Sequence, residues 1–159
     1  MQSDVDTMVL PSPNHIGVVV KDLYKTIEFL SSTCGLGPWK TLDFSQGKDD
    51  LLVGEPYRQK VAFAKLGSIT LELIQHLEGP GIFTQFLENQ GEGLEHIAFS
   101  VSNWGERVSK LKEQGCKMVL GGTYEGKHWC YFDTKPGGIM IEFMEGFDIP
   151  WEKATPYNL

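Results

Sequence analysis

Cysteine, positive charge and long apolar runs are all scarce in this chain, and each shortage closes off a class of function. Only Cys34, Cys116 and Cys130 occur among 159 residues. An odd count with no Cys-x-x-Cys spacing argues against a disulfide framework and a structural zinc knot, and fits a reducing cytoplasm. Lys and Arg number 14 against 21 Asp and Glu, for a formal net charge of −7. Nucleic-acid binding draws on clustered positive charge, so no nucleic-acid partner is expected. No apolar run approaches the roughly 20 residues of a spanning helix, and Ile16 to Val20 is the longest near the start. The opening MQSDVDTMVLPSP lacks a basic n-region and an apolar h-region, so neither a secretory signal nor a membrane partner is expected. What remains is a soluble, acidic, cytoplasmic chain of single-domain length.

Against these absences stands an internal repeat. Asn14-His15-Ile16-Gly17-Val18-Val19-Val20 matches Glu95-His96-Ile97-Ala98-Phe99-Ser100-Val101, each a His-Ile opening onto a strand pattern. Both strands run into a helix signal. Asp22 is placed to cap a helix with Leu23, Ile27 and Leu30 on one face, stopped by Gly35. Asn103 and Glu106 have capping-box spacing for a second helix, striped by Trp104, Val108 and Leu111 and stopped by Gly115. The far ends match too: Gly67-Ser-Ile-Thr-Leu-Glu72-Leu-Ile lines up with Gly137-Gly-Ile-Met-Ile-Glu142-Phe-Met. The first half has a longer middle, a polar stretch from Thr41 to Lys60 that reads as a loop. Further strands are expected around Val61–Lys65 and Trp129–Asp133. Each half, about 13–78 and 92–146, therefore reads as strand–helix–strand–strand–strand. A short helix over 82–90 links them, and an irregular tail runs over 147–159.

Strand alternation puts His15, Gly17 and Val19 on one face of the first strand, and His96, Ala98 and Ser100 on one face of its counterpart. The small neighbours Gly17 and Ala98 leave space above the rings. Glu72 and Glu142 each interrupt an apolar strand, where an ionised carboxylate is costly unless paired or metal-bound. A single histidine or glutamate of this kind is commonly a hydrogen-bonded core group or an edge residue. Recurrence of both types at matching positions shifts the reading. If the halves pair about a pseudo-twofold axis, two imidazoles and two carboxylates converge, a set that suits a divalent cation with open positions for substrate oxygens.

On these residues the chain resembles the vicinal oxygen chelate superfamily, which includes glyoxalase I, methylmalonyl-CoA epimerase, bleomycin-resistance proteins and extradiol dioxygenases. The motifs are His15-Ile-Gly-Val-Val-Val, Leu-Glu72-Leu, Gly91-Glu-Gly-Leu-Glu-His96-Ile-Ala-Phe and Gly-Gly-Ile-Met-Ile-Glu142, and the likeness covers about 13–146. The resemblance implies an α+β fold, with two βαβββ modules forming an open cup-shaped mixed sheet around a metal site. It also implies a homodimer and metal ligation by His15, Glu72, His96 and Glu142, with Zn, Co, Ni or Mn all compatible. The segment from Gly79 to Phe99 most resembles methylmalonyl-CoA epimerases. It departs from them at Glu95, where a second histidine is usual. The Lys60–Lys65 strand lacks the second acid/base carboxylate that some epimerases place there, Glu55 being the nearest. Tyr-Phe-Asp133-Thr-Lys-Pro also stands where His-Pro-Lys is usual.

The implied chemistry is proton transfer α to a carbonyl through an enediolate on a thioester or thiohemiacetal substrate. Glu142 is the expected base, and Glu72 or another carboxylate returns the proton. A lactoylglutathione lyase of the glyoxalase I type shares this mechanism and is the alternative, as is a non-catalytic small-molecule-binding protein of the same superfamily. An extradiol oxygenase is disfavoured by length. Gly121-Gly-Thr-Tyr-Glu-Gly126-Lys127-His128 matches a phosphate loop until His128 replaces Ser or Thr, and a strand pattern follows it instead of a helix. Lys127, Arg58 and Lys60 are candidates for an anionic substrate arm, or solvated surface charge. His76 and His128 lack repeat partners and are left out of the metal site, and Cys130 reads as core packing.

Overall fold

Hydrophobic patterning in both halves resolves into strands that share one sheet. The computed structural model describes residues 9–134 and 138–159. Most of the leader segment, together with Gly137 of the repeat and the Lys135-Pro136 pair, lies outside the described residues. The first half contains β1 (His15–Val19), α1 (Leu23–Cys34), β2 (Trp39–Gln46), β3 (Leu51–Val53), β4 (Tyr57–Leu66) and β5 (Ile69–Glu78). Helix α2 (Ile82–Gln90) leads to β6 (Gly93–Val101), α3 (Trp104–Glu113), β7 (Lys117–Tyr124), β8 (Lys127–Asp133), β9 (Met140–Glu145) and β10 (Thr155–Tyr157).

The helices form for local reasons and stay for packing. Asp22 accepts a hydrogen bond from the Lys25 amide at the start of α1, and Gly35 takes φ 69° at its end. Leu23 and Ile27 are fully buried against Ala62, Leu71 and Leu73, each contributing about 1.5–3 kcal/mol. Val108 anchors α3 on Phe99, Phe132 and Phe143 in the same way. The capping box expected at its start does not form. Asn103 Oδ1 instead accepts from Arg107 Nε at 2.8 Å, and Glu106 faces Lys110 at 3.4 Å. Arg107 is buried and needs acceptors more than the turn amides do, since those can reach water.

The ten strands run β10-β2-β4-β5-β1-β6-β9-β8-β7-β3. Strands β1 and β6 are antiparallel neighbours at the centre, and each pairs in parallel with the last long strand of its own half, β5 or β9. The stretch 41–60 is not a loop. It holds most of β2, a 3-10 turn at Lys48–Asp50, β3 and the start of β4. Strand β3 leaves β2 and pairs with β7 at the opposite end of the sheet. That crossing is possible only because the sheet curls until its ends meet, which brings Phe44 of β2 within 5.9 Å of Tyr124 of β7. The tail is not wholly irregular either, because β10 adds to β2 at the far edge. The concave side of the curled sheet carries the candidate site. No helix among the described residues is long and apolar enough to cross a membrane.

Candidate metal centre

Register builds the site. Across β1 and β6, Gly17 lies opposite His96, and Ala98 lies opposite His15. In the parallel pairs, Gly17 is beside Glu72 and Ala98 is beside Glu142. Two rows therefore cross the central strands, Glu72–Gly17–His96 and Glu142–Ala98–His15. Each joins the carboxylate of one half to the imidazole of the other across a small residue. The space above Gly17 is not open, as its smallness alone implied. A Cβ there would stand 1.9 Å from His96 Cε1, so the imidazole occupies the volume that the missing side chain vacates.

All four predicted residues are buried and converge. His15 Nε2 lies 3.1 Å from His96 Nε2. Glu142 Oε2 is 3.0 Å from His15 Nε2 and 3.3 Å from His96 Nε2. Glu72 Oε2 is 3.3 Å and 3.5 Å from the same two atoms. The tightest subset is His15, His96 and Glu142, whose donor atoms lie mutually within 4.8 Å. Glu72 reaches both imidazoles but stands outside that subset. Ligands held about 2.0–2.2 Å from one ion at octahedral or tetrahedral angles sit roughly 3 to 3.5 Å apart, which is the spacing found here.

The donor chemistry agrees. His96 Nδ1 donates to Glu95 Oε2 at 2.7 Å, and His15 Nδ1 donates to Asn14 Oδ1 at 2.8 Å. With both Nδ1 protons committed outward, neutral imidazoles turn their Nε2 lone pairs inward, the outer-shell arrangement common to metal-bound histidines. Two nitrogen lone pairs and two carboxylates then face one another with no hydrogen between them. Glu142 Oε2 is indeed buried without a hydrogen-bond donor. Such a cluster requires a cation, either protons or a metal ion. With protons alone, burial opposes ionisation of every member, but the mutual charges and hydrogen bonds win. Glu72 and Glu142 raise His15 to about 9 and His96 well above its ordinary value. The two imidazoles hold Glu72 low and Glu142 at about 2.

Neither Asn14 nor Glu95 was singled out as functional from sequence, although each immediately precedes its histidine in the repeat. Strand alternation hides Glu95, because consecutive residues face opposite sides. A β-bulge in β6 opposite Gly17 and Val18 breaks that alternation and leaves Glu95 and His96 both buried.

A cavity of about 80 Å³ opens beside the cluster. His15, Glu72 and Glu142 contribute to its lining, along with Phe44, Tyr57 and Tyr131. It is small beside the roughly 300–1,000 Å³ of ordinary ligand pockets, and no Lys or Arg among the described residues lines it. The candidates for an anionic arm lie elsewhere: Arg58 pairs with Glu78 at 2.6 Å, and Lys60 approaches Asp43 at 3.7 Å. Lys127 starts β8 in a β-hairpin with β7, so the phosphate-loop match has no helix behind it. Glu55 is exposed and borders a separate groove. His76 contacts the Gly79 carbonyl and His128 binds Glu145, both away from the cluster. Cys130 is fully buried in the second-half core, and burial pushes its thiol up to about 12.

A family model described as the glyoxalase/bleomycin resistance protein/dioxygenase superfamily matches residues 14–134. The chain belongs to that superfamily. As a superfamily member it is 30% identical over 136 residues to the uncharacterised protein YqjC of Bacillus subtilis (strain 168), covering 83% of this chain and 90% of that one. Hypothetical protein BH1468 of Bacillus halodurans C-125 shares its fold, with TM-score 0.62, 24% identity and coverage of 87% and 96%. Methylmalonyl-CoA epimerase from Mycobacterium tuberculosis does so with TM-score 0.59, 19% identity and coverage of 87% and 93%. A Streptomyces coelicolor methylmalonyl-CoA epimerase bound to 2-nitronate-propionyl-CoA gives 0.61, 20%, 86% and 97%. The superfamily fold accounts for the cup, and the residues within it must supply the rest.

Proposed function

We propose that this protein is a metal-dependent isomerase or epimerase that moves a proton on the carbon beside a carbonyl. His15, Glu72, His96 and Glu142 would hold one divalent ion, such as Zn, Co, Ni or Mn. The observation that carries the reading is the convergence of four buried acceptors with both Nδ1 protons directed away. Two carboxylates and two neutral imidazoles sum to −2, which a divalent cation balances.

A divalent ion held there would stabilise negative charge developing on a substrate oxygen. The chain's own groups do the rest. The aromatic wall formed by Phe44, Tyr57 and Tyr131 excludes water and packs on the methyl side of a small acyl group. Glu142 and Glu72 are the carboxylates that line the cavity, so one removes the α proton and the other returns it. Glu142 is the base in this reading: it lines the cavity beside the reacting carbon's place, and its carboxylate would have to loosen from a bound ion to take the proton. Epimerisation needs proton transfer on opposite faces of one carbon, which engages both glutamates. A thioester such as methylmalonyl-CoA fits this reading, since the fold is shared with methylmalonyl-CoA epimerases.

One observation favours a second reading. With Glu55 outside, the cavity offers no carboxylate beyond the proposed ligands. Transfer between adjacent carbons on a single face needs only one base, as for a lactoylglutathione lyase acting on a thiohemiacetal. Elemental analysis after metal loading should find one divalent ion per chain, and its absence would sink both readings. Loaded protein in D₂O is then given methylmalonyl-CoA and, separately, the methylglyoxal–glutathione adduct. Deuterium at the α carbon with loss of chirality selects the epimerase. Lactoylglutathione formation selects the lyase, and inertness towards both overturns the two assignments while leaving the metal site.

A further inference from the structure

The residues after β9 do more than trail away from the cup. Phe147, Ile149 and Pro150 line the cavity, and Ile149 and Ala154 are buried. Phe147 packs on Tyr124 of β7, while Lys153 pairs with Glu125 and lies over the Tyr124 ring. At the other rim Trp151 approaches Phe63, and Lys40 and Lys65 stand over its indole at 5.1 and 5.0 Å. Lys40 Nζ also donates to the Trp151 carbonyl at 3.1 Å. Leaving the second half and ending as β10 on β2 of the first, this segment is a strap across the mouth.

The middle of the strap touches the ligand set through one side chain. Asp148 Oδ1 accepts from Asn14 Nδ2 at 2.7 Å and from the Ile149 amide at 2.7 Å. Asn14 Oδ1 in turn accepts from His15 Nδ1. A carboxamide can face either way, and either face can meet an imidazole nitrogen. Facing one way, it accepts the Nδ1 proton and leaves Nε2 as a lone pair. Facing the other, it donates to Nδ1, drives the proton onto Nε2 and spoils that nitrogen as a ligand. Asp148 is an acceptor only, so it binds the NH₂ end and fixes the orientation that a metal-binding His15 requires.

We propose that Asp148 is a positioning residue which, through Asn14, sets the tautomer of His15 and so couples seating of the C-terminal strap to metal binding. The inference rests on the metal-centre reading and adds a regulating element beyond the four ligands. A flipped Asn14 costs metal affinity, and a bound ion, by holding Nδ1–H outward, favours the seated strap.

The test uses full-length protein with Zn²⁺ affinity measured by chelator competition, the visible spectrum of the Co²⁺ form, and hydrogen exchange of residues 147–157. Asp148→Ala should weaken Zn²⁺ binding about 3- to 10-fold, less than loss of a direct outer-shell partner. It should also shift the Co²⁺ bands and remove the slowing of strap exchange that Zn²⁺ causes in the wild type. Asp148→Asn, which can still accept from Asn14, should recover affinity to within about twofold. Asp148→Lys favours the flipped amide and should be the weakest binder of the three. Lys153→Ala removes only an exposed ion pair at the rim, leaves the Asp148–Asn14 bond in place, and should keep Zn²⁺ affinity within about twofold of wild type. Equal Zn²⁺ affinity in wild type and Asp148→Ala would overturn the proposal while the metal reading stands. So would a loss in Lys153→Ala as large as in Asp148→Ala. Wild-type protein that binds neither Zn²⁺ nor Co²⁺ would remove both. Asp148 is exposed, so circular dichroism should show each variant folded.

Discussion

The two halves place the same ligand types at the same positions of the same strands, yet they brace them differently. In the second half His96 is fully buried and leans on a buried carboxylate, Glu95. In the first half His15 leans on a neutral amide, Asn14, which is only half-buried and bonded to the strap. A carboxylate raises the basicity of the imidazole it orients more than an amide does. In the proposed metal site the second half therefore offers the stronger, fixed ligand, and the first one whose orientation is tied to Asp148 through Asn14. The repeat presents a symmetric set of candidate ligands, and the residue before each histidine makes the set asymmetric.

The largest effect should come from removing either ligand. His15→Ala and His96→Ala each take away one of four donors and should weaken Zn²⁺ binding by on the order of 100-fold or more. Isothermal titration in matched buffer would measure both. If one variant kept wild-type affinity, the ion would belong to a single half and the pseudo-symmetric site would be wrong.

Next in size is the pH response of the metal-free protein. His15 is raised from 6.5 to about 9 by Glu72 and Glu142 despite burial. A group whose pKa is raised on folding stabilises fully below its unfolded value and loses that contribution as pH passes the folded value. Glu142, lowered from 4.5 to about 2, contributes above 4.5 and loses its share as pH falls towards 2. The metal-free protein should be most stable between about pH 4.5 and 6.5, with Tm falling roughly 5–10 °C by pH 9. Saturating Zn²⁺ should abolish the alkaline fall. His96, with Glu95 added to its partners, should hold its proton to higher pH than His15 in NMR titration, and the reverse order would contradict the asymmetry.

Much of the cup and all four converging residues were legible because the repeat is written in residue types that strands display regularly. His15 and His96 head matching strands, and Glu72 and Glu142 interrupt matching apolar runs. Three features were not legible, each for a physical reason. The pairing of Leu51–Val53 with β7 depends on curvature of the whole sheet, which no local pattern encodes. Asn103 has a cap's spacing but accepts from Arg107 four residues on, a side chain whose burial comes only from the packing of α3. Glu95 looked like a departure from a family motif, and it became the partner of His96 only through a bulge that alternation does not anticipate.

A direct probe of the asymmetry follows from that bulge. Glu95→Gln keeps the shape but weakens the bond to His96 Nδ1, and it should cost about 10- to 100-fold in Zn²⁺ affinity. Asn14→Ala should cost about tenfold, at the low end of that range, because a neutral partner contributes less basicity than a carboxylate. Competition with a chromophoric chelator measures both in one assay. Equal losses would mean that the identity of the bracing residue is irrelevant.

The last comparison separates the two small residues that the candidate rows cross. Gly17 and Ala98 hold equivalent places, but a Cβ at Gly17 would stand 1.9 Å from the His96 ring, whereas Ala98 carries its methyl opposite His15. In Gly17→Ala the new methyl must displace His96, whose fixed bond to Glu95 gives it nowhere to go. That variant should lose about 1–3 kcal/mol of stability and most of its metal affinity. Ala98→Gly removes one buried methyl from a strand interior, adds backbone freedom and should cost about 1–2 kcal/mol, with the metal retained. Urea denaturation with and without Zn²⁺ resolves the two. If Gly17→Ala bound Zn²⁺ normally, His96 would have a second place to sit, and a rigid brace would not distinguish the second half.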